Sequence, residues 1–98
     1  MSKTKYYYYW NVKKLIMMSP RLPEDKIQSQ FIRLAMADAK EETLKLPNGH
    51  ERMKAVEDIL IKKTKTVEGE ALELNYSWRT VQNWINSYVN MVGRKAGY

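Results

Sequence analysis

Arg79, Gln82, Asn83, Asn86 and Asn90 fall on one side of the segment WRTVQNWINSYVNMVGRK. Val81, Trp84, Ile85, Tyr88, Val89 and Val92 recur at the i, i+3, i+4, i+7, i+8, i+11 spacing of the opposite side of a helix. The polar side offers arginine and amides and no carboxylate. That is the chemistry of base-edge recognition in a major groove, where arginine makes two hydrogen bonds to guanine and Asn or Gln makes two to adenine. A helix whose outer face met only water would normally mix in glutamates.

Such a reading helix has to be presented by a sharp turn and a supporting helix. Ser77 is a favoured N-cap, and Asn75 tolerates the left-handed backbone that an abrupt helix-to-helix turn requires. Upstream, Thr66 can cap a short helix, VEGEALEL, with Val67, Ala71, Leu72 and Leu74 expected to face inward. Ala71 is small enough for close approach of the two helices, and Leu74, Tyr76, Val81 and Trp84 are placed to pack the elbow. Two residues depart from the pattern. Glu70 stands where an apolar residue often precedes the small one, and Gly69 costs about 1 kcal/mol of helix propensity relative to alanine.

The rest of the chain reads as helices with clear stops. Tyr8, Tyr9, Val12, Leu15 and Ile16 mark one face of a helix from Lys5 to Met18, within a basic, aromatic stretch over residues 1–19. Pro20 and Pro23 in SPRLP end it. A second helix is expected over 24–46, with Ile27, Phe31, Leu34, Ala35 and Asp38 on one side. LPNGH closes it, and ERMKAVEDILIKK gives a third, with Met53, Val56, Ile59, Leu60 and Lys63 at helical spacing. The expected fold is all-α, with four to five helices in a single domain over 1–98, the last part (50–98) ending in the helix-turn-helix.

Composition narrows the function classes. With no cysteine and one histidine among 98 residues, disulfides, thiolate zinc sites and Cys/His catalytic pairs are excluded. His50 beside the Asn48-Gly49 turn reads as an exposed loop residue or cap, and the acids in DAKEE and EDILIKK as partners of nearby lysines. No catalytic residue, metal or cofactor is expected. The longest apolar run, Leu15 to Met18, is too short for a membrane span or a signal-peptide core, so a soluble, cytoplasmic protein is expected. A net charge of +6 favours a polyanionic partner. Lys3, Lys5, Lys13, Lys14 and Arg21 stand without an acid in the first 23 residues, and Arg79, Arg94 and Lys95 are unopposed after Leu74.

YSWRTVQNWINSYVNMVGRKAGY, preceded by ERMKAVEDILIKKTKTVEGEALEL, resembles the phage-encoded RinA/ArpU-like transcriptional regulators. The core Ser77, Arg79, Thr80, Val81 and Trp84 is also similar to the last helix-turn-helix of sigma factors. The resemblance covers residues 50 to 98 well and the N-terminal half more loosely. It implies control of late gene expression in a bacterial host cell, and it makes Ser77, Arg79, Thr80, Gln82 and Asn83 the DNA-facing positions.

The expected duplex-DNA surface is therefore Ser77, Trp78, Arg79, Thr80, Gln82, Asn83 and Asn86, with phosphate contacts from Lys63, Lys65, Arg94 and Lys95. Lysines 3, 5, 13 and 14 would add sequence-independent contacts. A domain this small offers few base contacts, so a homodimer or higher oligomer is expected. The competing reading is a protein–protein adaptor docking on RNA polymerase or another phage protein. In the YYYYW run, Tyr8 and Tyr9 are expected in the core, with Tyr6, Tyr7 and Trp10 left for an oligomer or partner surface.

Overall fold

Turn-forming residues cut the chain into five α-helices among the described residues, with no strand: α1 (Ser2–Met18), α2 (Ile27–Leu44), α3 (Gly49–Val56), α4 (Val67–Leu74) and α5 (Trp78–Lys95). The computed structural model describes residues 2–22 and 26–97, and within them the side chains of all but 2–8 and 28. The expectations for Lys3, Lys5, Tyr6, Tyr7 and Tyr8 lie outside the described side chains. The all-α class holds.

Each break has a local cause. A single 3-10 turn, Ser19–Arg21, succeeds α1, and the buried Ser19 hydroxyl donates to the Ile16 carbonyl at 2.7 Å. Arg33 Nη2 of α2 then donates to the carbonyls of Ser19 (3.2 Å) and Leu22 (2.7 Å), fastening this connector. At the next break Asn48 is left-handed (φ 59°), and a Cβ on Gly49 would lie 2.5 Å from the Leu44 carbonyl oxygen. Only glycine fits there.

α5 is the hub, packing against all four other helices. Its stripe Val81, Trp84, Ile85, Tyr88, Val89 and Val92 is buried in full, as the spacing predicts. Val12 and Ile16 meet it from α1, Ile32, Ala35 and Ala39 from α2, and Met53, Val56 and Leu60 from the α3 region. A Cβ on Gly93 would come 3.3 Å from Val12 Cγ2, so the glycine lets α1 lie close on the end of α5.

Three expectations about buried faces need correction. In α2 the large residues Ile27, Phe31 and Leu34 point outward, and the inward side is Ser29, Ile32, Ala35, Ala39 and Thr43. Two apolar faces were available on this helix, and close packing on α5 selected the one with small side chains. Thr43 sits there as a polar member, its hydroxyl 3.8 Å from the Met91 sulfur. In α4, Leu72 is 84% exposed, leaving Ala71 as the buried residue with Val67 and Leu74 half-buried.

The third correction concerns ERMKAVEDILIKK. The α-helix stops at Val56 and runs into a π turn, Glu57–Ile61, closed by the Lys62 amide donating to the Glu57 carbonyl at 2.7 Å. The wider turn changes the direction in which its own and later side chains project. Asp58 goes inward, Ile59 is half-buried, and Lys63 leaves the helix altogether, exposed and left-handed at φ 57°. The Asp58 carbonyl accepts the Thr64 amide at 2.9 Å, which turns the chain toward α4.

Candidate nucleic-acid interface

α4 and α5 are joined through residues 75–77. Asn75 is left-handed (φ 64°), and the Tyr76 amide donates to the Ala71 carbonyl. Both helices carry hydroxyl N-caps: Thr66 Oγ1 accepts the Gly69 amide at 3.0 Å and Ser77 Oγ accepts the Thr80 amide at 3.2 Å. Tyr76 fixes the elbow. Its ring meets Trp84 edge-on at 4.9 Å, and its hydroxyl donates to Glu51 at 3.0 Å, a carboxylate neighbour that raises the phenol's pKa.

The seven expected DNA-facing residues divide into three groups. Trp78, Arg79 and Asn83 project from the first two turns of α5 and are exposed; the Arg79 guanidinium rests 5.8 Å from the Trp78 ring centre. Ser77 and Thr80 are occupied with each other, their hydroxyls 2.9 Å apart within the cap. Gln82 and Asn86 are half-buried and tied into the fold. Asn86 Oδ1 accepts both the Tyr9 hydroxyl (2.6 Å) and Gln82 Nε2 (3.0 Å). Burial raises the Tyr9 phenol above its ordinary range, so it is protonated and donating. α1 thus covers part of the polar side of α5, and Tyr9, expected in the core for its ring alone, also supplies a hydrogen bond.

The expected phosphate contacts do not form one patch. Lys63 and Arg94 are exposed. Lys95 pairs with Glu42 at 2.7 Å, which holds that carboxyl low. Lys65 is hydrogen-bonded to Glu73 and lies 3.6 Å from Glu70 and 3.7 Å from Asp58. Arg94 also sits at the far end of α5 from Arg79, roughly 22 Å along the axis at 1.5 Å per residue. At the N-terminal end Lys13 lies over the rings of Tyr9 (5.7 Å) and Trp10 (5.1 Å), while Lys14 is exposed.

Behind the hairpin is a charge cluster that spacing alone does not announce. Lys54 Nζ binds Asp58 (2.8 Å), Glu73 (2.7 Å) and Glu70 (3.4 Å), and Lys65 joins from the loop. Glu70 is fully buried, with Oε2 lacking a hydrogen-bond partner. Burial, then the neighbouring Asp58 carboxylate, pushes the Glu70 carboxyl up, whereas the Lys54 ammonium holds Asp58 down. Lys54 is in turn held protonated by Asp58 and Glu73. Glu70 thus carries α4 into a cluster shared with Asp58 of the π turn and Lys54 of α3. Its signal in the sequence is its misfit to the expected pattern.

Comparison with protein families, curated proteins and solved structures returns no match. No helix among the described residues is long and apolar enough to cross a membrane. The chemistry available at the exposed end of α5 is one guanidinium, one primary amide and one indole, on a rigid helix whose other side is core.

Proposed function

We propose that α4 and α5 act as a DNA-binding helix-turn-helix, with the first two turns of α5 entering the major groove of duplex DNA. The observation that carries this is the exposure of Arg79 and Asn83 together on carboxylate-free turns of a helix anchored by its opposite face. Arg79 is suited to guanine O6 and N7, and Asn83 to adenine N6 and N7. Gln82 and Asn86, expected as readers, act instead in holding α1 to α5. Lys14, Lys63 and Arg94 are exposed cations suited to phosphate.

The sequence resemblance adds a class, a phage-type transcriptional regulator of late genes in a bacterial cytoplasm, with no catalytic step and no cofactor. Two copies reading half-sites about 34–36 Å apart would suit so small a reading surface. Selection from a random duplex pool tests the proposal. A short enriched motif, palindromic for a symmetric dimer, is the expected result, with affinity falling steeply as salt rises.

One observation favours a second reading, an adaptor docking on RNA polymerase or another phage protein. The outward side of α4 holds Leu72, 84% exposed, between Glu68 and Glu73, and Trp78 stands just past the turn at 55% exposed. Exposed apolar residues with acidic neighbours suit protein better than phosphate. An adaptor would enrich no sequence from the pool.

A further inference from the structure

Arg52, in the first turn of α3, is held at two points and free at a third. Its Nε donates to the Pro47 carbonyl at 2.9 Å, and its guanidinium lies 5.8 Å from the centre of the Trp84 ring. These contacts orient the guanidinium plane while using only Nε and one face. Nη1 and Nη2 have no hydrogen-bond partner among the described residues. The acids nearby are already engaged. Glu51 accepts the Tyr76 hydroxyl at 3.0 Å, and Asp58, Glu70 and Glu73 gather on Lys54, two residues along α3 and so on another side of that helix.

Position gives the free edge its use. Trp84 directly follows Asn83, so Arg52 stands close to the exposed turns of α5, displaced to one side. At about 100° per residue, Trp84 is turned roughly 100° from Asn83 one way around the helix and Asn86 about 60° the other way. Asn86 accepts the Tyr9 hydroxyl, and Lys13 lies over the Tyr9 ring at 5.7 Å. A cation therefore stands on each flank of α5, Arg52 from α3 and Lys13 from α1. A helix with its side chains is about 10–12 Å across, close to the roughly 12 Å width of the major groove, so groups on its flanks meet the phosphates that border the groove.

We infer that Arg52 is a phosphate-binding residue, its Nη1 and Nη2 donating to one phosphate at the edge of the groove that α5 enters. A guanidinium fork already oriented by Pro47 and Trp84 suits two parallel hydrogen bonds to phosphate oxygens. The inference rests on the DNA-binding reading and adds to it a contact from outside the helix-turn-helix. Being made to the backbone, this contact sets the register of α5 in the groove and carries no sequence information.

Salt titration of the full chain on its selected duplex and on a scrambled one tests it. Arg52→Gln is expected to weaken both duplexes alike, about eightfold at 0.1 M salt, and to flatten the slope of log K against log salt by about 0.9, the share of one phosphate. Arg52→Lys, which keeps the charge, should retain the slope, and the enriched motif should be the same for all three chains. Replacing single phosphates by uncharged methylphosphonates locates the contact. At one position per half-site the wild type should lose the same factor, and Arg52→Gln should lose nothing further. An unchanged slope in Arg52→Gln, a slope that falls as far in Arg52→Lys, an altered motif, or a scan without such a position overturns the inference and leaves base reading by α5 standing. A wild type that binds no duplex removes both.

Discussion

α4 and α5 are neighbours in one hairpin, each begun by a hydroxyl cap, yet they are held to the protein by opposite means. α5 offers a continuous apolar stripe, and its anchoring uses no charge along its first four turns. α4 buries little beyond Ala71 and Glu70, and its anchor is a set of carboxylates gathered on Lys54 and Lys65. The consequence falls on the outward faces. A helix fixed by its apolar side can present arginine and amides freely, whereas α4, which carries no cation of its own and is fixed through its acids, shows Glu68 and Leu72 outward instead. The proposed reading chemistry therefore sits on α5 alone.

The contrast breaks most visibly in the stripe. Ile85 is 1% exposed at the centre of the core, and Ile85→Ala should cost about 2–5 kcal/mol of stability through lost burial and the cavity left behind. Denaturant unfolding measures it. A loss below about 1 kcal/mol would mean that α5 is held by something other than its stripe.

On the other face the expectation reverses. Arg79→Ala should leave stability within about 0.5 kcal/mol while removing roughly 1–3 kcal/mol of affinity for the selected site and relaxing preference at one base pair. Binding to that site that does not change removes Arg79 from base reading. Equal loss on every sequence would make it a phosphate contact.

How far the sequence discloses this division depends on what kind of force does the holding. The α5 stripe, the Asn75 turn and the Ser77 and Thr66 caps are local or periodic signals, and they are found where spacing puts them. The inward face of α2 is not periodic in hydrophobicity alone, because closeness to α5 favoured Ala35, Ala39 and Thr43 over Phe31 and Leu34. The π turn adds a residue to a helical turn that periodicity assumes regular, so Asp58 moves inward without notice. Glu70, Asp58 and Lys54 come from separate segments, and the pairing of Asn86 with Tyr9 spans 77 positions. Contacts at that separation leave no mark in a window of neighbouring residues. The exposed side chains Arg79 and Asn83 are therefore legible as types, but their separation from Gln82 and Asn86 is not.

The ionic anchor of α4 can be sharpened with pH. The Glu70 carboxyl titrates higher in the fold than its ordinary 4.5, so its contribution is whole below that value and is lost as pH rises through the folded one. Asp58 is lowered from 3.8, so its contribution is present above that value and is lost as pH falls through the folded one. Glu70→Gln, which imitates the protonated acid, should gain melting temperature on wild type as pH rises. Asp58→Asn should lose it at neutral pH and converge with wild type in acid. Two variants that track wild type in parallel from about pH 3 to 8 would show that α4 is not held by this cluster.

The smallest effect separates the two kinds of amide on α5. Asn86→Ala removes the acceptor shared by the Tyr9 hydroxyl and Gln82, which should cost about 0.5–1.5 kcal/mol of stability per hydrogen bond lost. It should leave the enriched sequence unchanged, since this side chain is committed inward. Asn83→Ala should do the reverse, sparing stability and weakening preference at one position. Should Asn86→Ala alter the selected motif while stability holds, then α1 must lift from α5 on DNA, and the covered part of the polar face belongs to the reading surface after all.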